Sequence, residues 1–224
     1  MVFGITGRML QGETISSMPI PAIDSPMYNA SQAFAGVPYA PTVSPTSNWP
    51  IDQSVHDTIQ KMAALARSNA EHPTVIAAVK DATQSLLPTA TDREICTAIF
   101  YWIKDHVQFV EDETLNQVAL GMSEYDAIDT ELLIAPSYLL SMQHPMGDCD
   151  DFSTLCAAML LVLKFKIAFV TIAADSNEKK RLSHVYVKVW LEDENKGMYL
   201  DCSHGPFPGW EHGEYFRKLE WGIS

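Results

Sequence analysis

Apolar residues after position 50 recur at the three- and four-residue spacing of amphipathic helices. Three such runs are separated by polar or proline-containing breaks. The second is predicted to end near Pro88 and the third near His106. Residues at the predicted starts can cap the first N–H groups of a helix or fit its first turn. These residues are Asp52 or Ser54, Pro73, and Thr91 or Asp92.

A fourth helical run begins at the sequence Gly-Asp-Cys-Asp-Asp-Phe, residues 147–152, and its apolar residues continue to Phe165. Acidic residues at its start agree with the helix dipole, which favours negative charge at an N-terminus. Cys149 is predicted to lie in the first turn, where backbone N–H groups lower the pKa of a thiol and can hold an oxyanion. The neighbouring carboxylates disfavour a thiolate, so a nucleophilic Cys149 would need a second activating group.

Three segments after this helix have the alternation or the β-branched content of strands, namely residues 167–172, 184–190 and 198–202. Polar loops separate them, so we expect an antiparallel sheet of at least three strands. Helices followed by a helix that leads into such a sheet define an α+β order. The last residues, 204–224, are rich in glycine, proline and aromatic residues and are predicted to wrap the surface.

His184 begins the second predicted strand, and Asp201 lies near the end of the third. The two-residue period of a strand places both side chains on one face in half of the possible registers. A thiol, an imidazole and a carboxylate are the nucleophile, base and orienting group of cysteine-dependent acyl transfer. Each also has a simpler interpretation, as a core cysteine, a strand histidine bonded to the backbone, and a strand-end carboxylate.

Residues 1–50 differ from the rest of the chain, 51–224, which we treat as one domain. They contain seven prolines and three charged residues, and no helix or strand period persists. Such a segment is predicted to form an extended arm, held either by neighbouring chains or by its own domain. A second irregular stretch, residues 111–135, is acidic and long for a loop, which is typical of binding loops and lids.

The net charge of the 224 residues is -13, which argues against a nucleic-acid partner because phosphate binding needs a basic face. Between Lys104 and Lys164 there is no lysine or arginine, although many acidic residues fall there. This stretch is either a solvated acidic surface or a field that attracts cationic substrates. The chain has no long apolar run, so we expect no membrane span. The N-terminus lacks a basic region followed by an apolar one, so we expect no secretion signal.

The four cysteines form no CxxC pair, and we expect reduced thiols, with Cys96 and Cys156 in the core. One possible zinc set has a spacing that matches no closed four-ligand pattern, and the spacing of an EF-hand loop is absent. That zinc set is Cys202, His204 and His212. We therefore predict no metal and no cofactor. A metal-binding module is a separate hypothesis, beside the enzyme and scaffold hypotheses that follow.

Four segments together resemble the transglutaminase-like superfamily, which has a papain-like core. They are residues 101–110, 147–152, 183–189 and 199–201, within a region that covers about residues 85–203. The resemblance implies a catalytic triad of Cys149, His184 and Asp201. It also implies cleavage or transfer at amide bonds of a peptide or protein, with either water or an amine as the acceptor.

Papain-like catalysis also needs a side chain beside the Cys149 N–H to hold the oxyanion. Gln143 lies six residues before the cysteine, which is the offset of a papain-like oxyanion glutamine. Trp102 and Tyr101, from the third predicted helix, are the alternatives. The chain departs from the family after Asp201, where members usually have proline and a small residue and this chain has Cys202 and Ser203.

The Gly-Asp-Cys-Asp-Asp form, together with residues 135–140, resembles the versions encoded by phages and prophages. That resemblance implies a virion-associated or morphogenesis protein, made in the host cytoplasm and then carried in the particle. The arm would dock on other virion or assembly proteins as part of an oligomeric assembly. The alternative is a catalytically silent structural protein of a phage particle, which uses the same fold as a scaffold.

Overall fold

The computed structural model describes residues 42–45, 51–112, 114–115, 117 and 130–223. The helices agree with the predicted runs, except that the first begins at Ile51, before its predicted caps Asp52 and Ser54, and the second ends at Thr83 rather than near Pro88. Their bounds are α1 Ile51–Asn69, α2 Pro73–Thr83, α3 Asp92–His106, α4 Pro136–Leu139 and α5 Cys149–Val162. None of the helices in these described ranges is both long enough and apolar enough to cross a bilayer.

Side chains at the helix starts explain why the boundaries fall where the sequence predicts them. A capping box opens α3: the Thr91 hydroxyl accepts a hydrogen bond from the Glu94 N–H, and the Glu94 carboxylate accepts one from the Thr91 N–H. Asp148 caps α5, since its Oδ1 accepts a bond from the Asp150 N–H at 3.0 Å. Cys149 is therefore the first residue of α5.

A four-stranded antiparallel sheet follows the helices. Its strands are β5 Lys166–Ala173, β6 His184–Leu191, β7 Lys196–Leu200 and β8 Arg217–Gly222. They lie in the order β7–β6–β5–β8. The first three were predicted, but the prediction that the whole tail wraps the surface was wrong. Residues 217–222 pair with β5 along its free edge instead.

Two short strand pairs accompany the sheet. β1 Thr42–Pro45 pairs with β3 Thr130–Leu133 in an antiparallel register, and β2 Gln108–Phe109 pairs with β4 Met146–Gly147 in a parallel one. β1 and β3 correct the sequence analysis, which predicted no strand in either the arm or the acidic stretch. Residues 1–41, 46–50, 113, 116 and 118–129 of these two segments lie outside the described residues.

Helix α5 is the centre of the core. It contacts α1, α2 and α3 on one side and strands β5 and β6 on the other. Its side chains are therefore buried around nearly the whole circumference, including Phe152, Leu155, Cys156, Met159 and Leu160. This arrangement confirms the predicted α+β fold, in which the cysteine-bearing helix packs on an antiparallel sheet. Burial on both sides also holds the first turn of α5 in place.

The hairpin of β6 and β7 is tied to the start of α3. The carboxylate of buried Asp92 accepts a hydrogen bond from the Glu192 N–H at 2.7 Å. Beside it, the Arg93 guanidinium donates to both carboxylate oxygens of Glu194, at 2.6 and 2.9 Å. These bonds orient the hairpin, which contains His184 and leads into Asp201, relative to the helices.

Candidate active site

Cys149 lies half-buried at the start of α5, and the acidic residues around it are held in the fold. Asp151 is 1% exposed, and its Oδ1 accepts a hydrogen bond from the Ile134 N–H at 2.7 Å. Gly147 lies so close to the Asp151 side chain that a Cβ atom there would collide with it. Gly147 and the third aspartate of the motif, Asp151, are therefore needed to build the turn that presents Cys149.

His184 and Asp201 are brought together by the register of the β6–β7 hairpin. Val187 pairs with Leu200, so the next position along the chain places Asp201 opposite Tyr186. His184 precedes Tyr186 by two residues and lies on the same face of the sheet. The distance from His184 Nε2 to Asp201 Oδ2 is 2.7 Å, and the two side chains are only 9% and 1% exposed.

Two further donors hold the other oxygen of Asp201. The Ser203 hydroxyl and the His204 backbone N–H each donate to Oδ1 at 2.9 Å. Burial alone would raise the pKa of Asp201, but the hydrogen bond and charge of His184 and these two donors together lower that pKa to about 2. The Ser203 hydroxyl is thus one of the donors that keep the Asp201 carboxylate ionised.

The turn after Asp201 is fixed by its own backbone and by α3. The Gly205 N–H donates to the Asp201 carbonyl at 2.8 Å, and Lys104 Nζ donates to the Gly205 carbonyl at 3.0 Å. A Cβ atom on Gly205 would lie 2.6 Å from that Asp201 carbonyl, so only glycine fits without a backbone shift. The direction of the Asp201 side chain is therefore set from both ends of the turn.

One hydroxyl links the start of α5 to the start of β6. Ser153 Oγ lies 2.7 Å from the carbonyl oxygen of Cys149 and 3.0 Å from that of Val185, the neighbour of His184. Its single hydrogen can serve either carbonyl or be shared between them. The first turn of the cysteine helix and the first residues of the histidine strand therefore lie side by side.

Aromatic rings form a second link between the two parts of the site. Phe109, which pairs with Gly147 across β2 and β4, lies 6.3 Å from Phe152 in α5 and 4.8 Å from His204, measured between ring centroids. The ring of His204 lies 4.8 Å from that of His184 in an edge-to-face arrangement. Phe109 and His204 thus border the region between α5 and the His184–Asp201 pair.

The three residues named for the oxyanion have different positions. Trp102 is buried, and its indole N–H donates to the carboxylate of Asp81 in α2 at 2.7 Å, so this donor already has a partner. Tyr101 is exposed on α3, with its ring against Phe100. Gln143 is exposed in the loop between α4 and β4. Gln143 and Tyr101 therefore remain as expectations for this role, whereas the geometry disfavours Trp102.

Sequence reasoning missed the supporting roles of four residues at the site, namely Phe109, Ser153, Ser203 and His204. Two of them had a detectable signal. A serine and a histidine two and three residues after an aspartate fit a turn in which the carboxylate accepts hydrogen bonds from the residues that follow it. Ser153 and Phe109 had none, because their contacts are with segments distant in sequence.

Comparison with known proteins adds little to this geometry. No family model matches the chain, and no curated protein matches it. A solved structure titled "Crystal structure of a TGase" is similar, with 14% sequence identity and a TM-score of 0.37. The matched region covers 75% of this chain but 37% of that one, so this chain corresponds to little more than a third of that structure's length.

Proposed function

We propose that the chain is a transglutaminase-like, cysteine-dependent hydrolase or acyltransferase that acts on amide bonds. Cys149 would be the nucleophile, His184 the base and Asp201 the group that orients the imidazole. The observation that supports this most is the buried 2.7 Å bond between His184 and Asp201, next to the start of the helix that begins with Cys149. A cysteine at a helix N-terminus, with a buried histidine–carboxylate pair beside it, supplies the nucleophile, the base and the orienting group of an activated thiol.

The hydrogen bonds around Asp201 define the tautomer of His184. An ionised carboxylate only accepts hydrogen bonds, so Nε2 carries the hydrogen that faces Asp201. In the neutral ring Nδ1 then has a lone pair and can take the proton of the Cys149 thiol. The resulting imidazolium is stabilised by Asp201, and the thiolate by the backbone N–H groups at the start of α5.

The reaction would proceed in two steps. The thiolate attacks the amide carbonyl, the oxyanion is held by the Cys149 N–H and one side chain, and His184 returns its proton to the leaving amine as the C–N bond breaks. The acyl group is then bound to sulfur as a thioester. Water or a second amine, deprotonated by His184, attacks this thioester and releases the thiolate, which gives hydrolysis or transfer.

The pH dependence of alkylation tests the proposal. A thiolate–imidazolium pair should keep Cys149 reactive toward iodoacetamide from pH 8 to pH 6, because the sulfur is already deprotonated. An isolated thiol instead loses about tenfold in rate per pH unit below its pKa of about 8.5. We expect wild type to lose less than about threefold over this range, and His184→Gln to show the steep loss. Alkylation is assigned to Cys149 by mass spectrometry of the digested protein.

Exposure alone cannot produce this result, because it changes the absolute rate of alkylation and not its slope with pH. The other three cysteines are buried and serve as internal standards for partial unfolding. Lys188→Gln is a matched control on the same strand, where His184 and Asp201 remain in place. Equal steep slopes in wild type and His184→Gln would contradict an activated thiol and leave the catalytically silent scaffold as the better account.

A role in a phage particle stays a prediction, carried by the sequence resemblance of residues 135–140 and 147–152. In that role the enzyme, or a silent scaffold of the same fold, would attach through the segment 1–50 to virion or assembly proteins. The measurement is protein mass spectrometry on purified particles from a lysate that expresses this chain. Particles free of the chain, at every stage of assembly, would contradict the prediction.

A further inference from the structure

Three side chains that can bind a transition metal meet at the end of the β6–β7 hairpin. His184, Asp201 and His204 each offer one ligand atom, and these three atoms all lie within 4.8 Å of one another. Two imidazoles and a carboxylate form a common ligand set for Zn²⁺ that leaves a fourth position open. The earlier zinc set of Cys202, His204 and His212 shares only His204 with this cluster.

Ser203 holds His204 in the tautomer that a metal requires. The Ser203 hydroxyl donates its only hydrogen to Asp201 Oδ1, so toward His204 Nδ1, at 3.0 Å, it can only accept. Nδ1 of His204 therefore carries a hydrogen, and Nε2 of the neutral ring has the lone pair. A metal-binding histidine typically donates its second ring N–H to a neighbouring oxygen in this way, which fixes both tautomer and orientation.

The three ligand atoms lie close enough that side-chain movements would place them around one ion. Bonds of about 2.0–2.2 Å to Zn²⁺ require ligand atoms roughly 3–3.5 Å apart in a tetrahedral site. His184 Nε2 and Asp201 Oδ2 are 2.7 Å apart, so these two atoms would move slightly apart to hold the ion. The ligand atom of the exposed His204 lies within 4.8 Å of the other two, so a small movement that keeps its bond to Ser203 would bring it to the ion.

We propose that His184, Asp201 and His204 bind one Zn²⁺ ion. His204 is the third ligand, which the His184–Asp201 pair lacks on its own. The ion would take the place of the hydrogen on His184 Nε2, and that hydrogen would move to Nδ1, so the ring stays neutral. As a consequence that rests on the proposed function, bound Zn²⁺ inactivates the enzyme, because a metal-bound His184 no longer acts as the base for Cys149. The exposed His204 is outside the triad, so the metal site can be removed without removing the base.

Zinc binding to the full-length protein is the test, measured by equilibrium dialysis against buffered ZnCl2 with the metal counted by atomic emission. Wild type should bind one ion per chain at the site. His204→Gln should bind at least tenfold more weakly, because it removes one of three ligands. His56→Gln, which removes an exposed histidine on α1, should bind as wild type does. Thermal unfolding without metal shows whether each variant is folded.

A second measurement separates this proposal from the proposed function. Alkylation of Cys149 at pH 7 should be slowed at least tenfold by Zn²⁺ in wild type, and EDTA should restore the rate. In His204→Gln the same zinc concentration should leave the rate unchanged. Equal zinc affinity in wild type and His204→Gln would overturn the metal site, whatever the alkylation rates. A steep pH profile without metal would instead overturn the activated thiol and leave the binding result intact.

Discussion

Replacing Cys149 with alanine is expected to lower amide-bond turnover by a factor on the order of 10⁴, because no other group can form the thioester. The fold should persist, since Cys149 is half-buried at the helix start and alanine is a good helix former. Turnover is measured as mass change in a peptide library that presents glutamine, asparagine and main-chain amides, with and without an added primary amine. The added amine distinguishes transfer from hydrolysis.

Cys96→Ala is the matched control for this prediction. It also removes one cysteine, but from the buried face of α3. A modest loss of stability is expected there, and no loss of turnover once folded protein is compared with folded protein. If Cys149→Ala converts the same peptides as wild type, the observed activity comes from another site or a contaminant, and the mechanism is wrong.

Replacing Asp201 with asparagine is expected to lower turnover roughly 10³-fold while leaving the side chain almost the same size. An amide in this position can donate to His184, which favours the wrong tautomer, and it stabilises the imidazolium less than a carboxylate does. His184 would then lose the lone pair at Nδ1 that accepts the thiol proton. The effect should appear in kcat, because Asp201 acts through His184 and is remote from the substrate.

The same substitution should also weaken the dependence of stability on pH. The pKa of Asp201 is about 2 in the folded chain, below its ordinary value of 3.8. The ionised form therefore stabilises the fold by about 2 kcal/mol above pH 4, and this contribution is lost as the pH falls toward 2. Asp201→Asn should lack this contribution at neutral pH. Its free energy of unfolding should consequently depend less on pH than that of wild type between pH 4 and pH 2.

Urea unfolding at a series of pH values measures this difference, and Asp175→Asn is the control. Asp175 is an exposed residue in the polar loop before β6, and removing its charge should change the free energy of unfolding little. A parallel pH dependence in wild type and Asp201→Asn would mean that the carboxylate gains no net stabilisation from its three donors. Retained turnover in Asp201→Asn would show that His184 is oriented without it.

The local elements could be read from the chain because their causes are local. The capping box at Thr91 and Glu94 and the aspartate cap before Cys149 lie within four residues of the helix starts that they define. Alternation likewise marked β6, the strand that begins with His184. The order of cysteine, histidine and aspartate was enough to name the pair that the structure brings to 2.7 Å.

Other features have causes that no local window contains. Residues 217–222 became a strand because β5 had an unpaired edge, which is a property of the assembled sheet. Residues 42–45 form a strand because residues 130–133 lie beside them and pair with them. In the same way, Trp102 was a reasonable oxyanion donor in sequence, but packing of α3 on α2 places its N–H against Asp81.

By itself the sequence determined the helices, three strands of the sheet and the chemical types of the site, since periodicity, caps and residue order act over short distances. Only the tertiary structure decided the register that joins His184 to Asp201 and the turn that directs Ser203 and His204 onto that carboxylate. It also decided the shared hydroxyl of Ser153 that holds α5 against β6. The physical reason is that hydrogen bonds between distant segments depend on how buried surfaces pack, and packing is a property of the whole core.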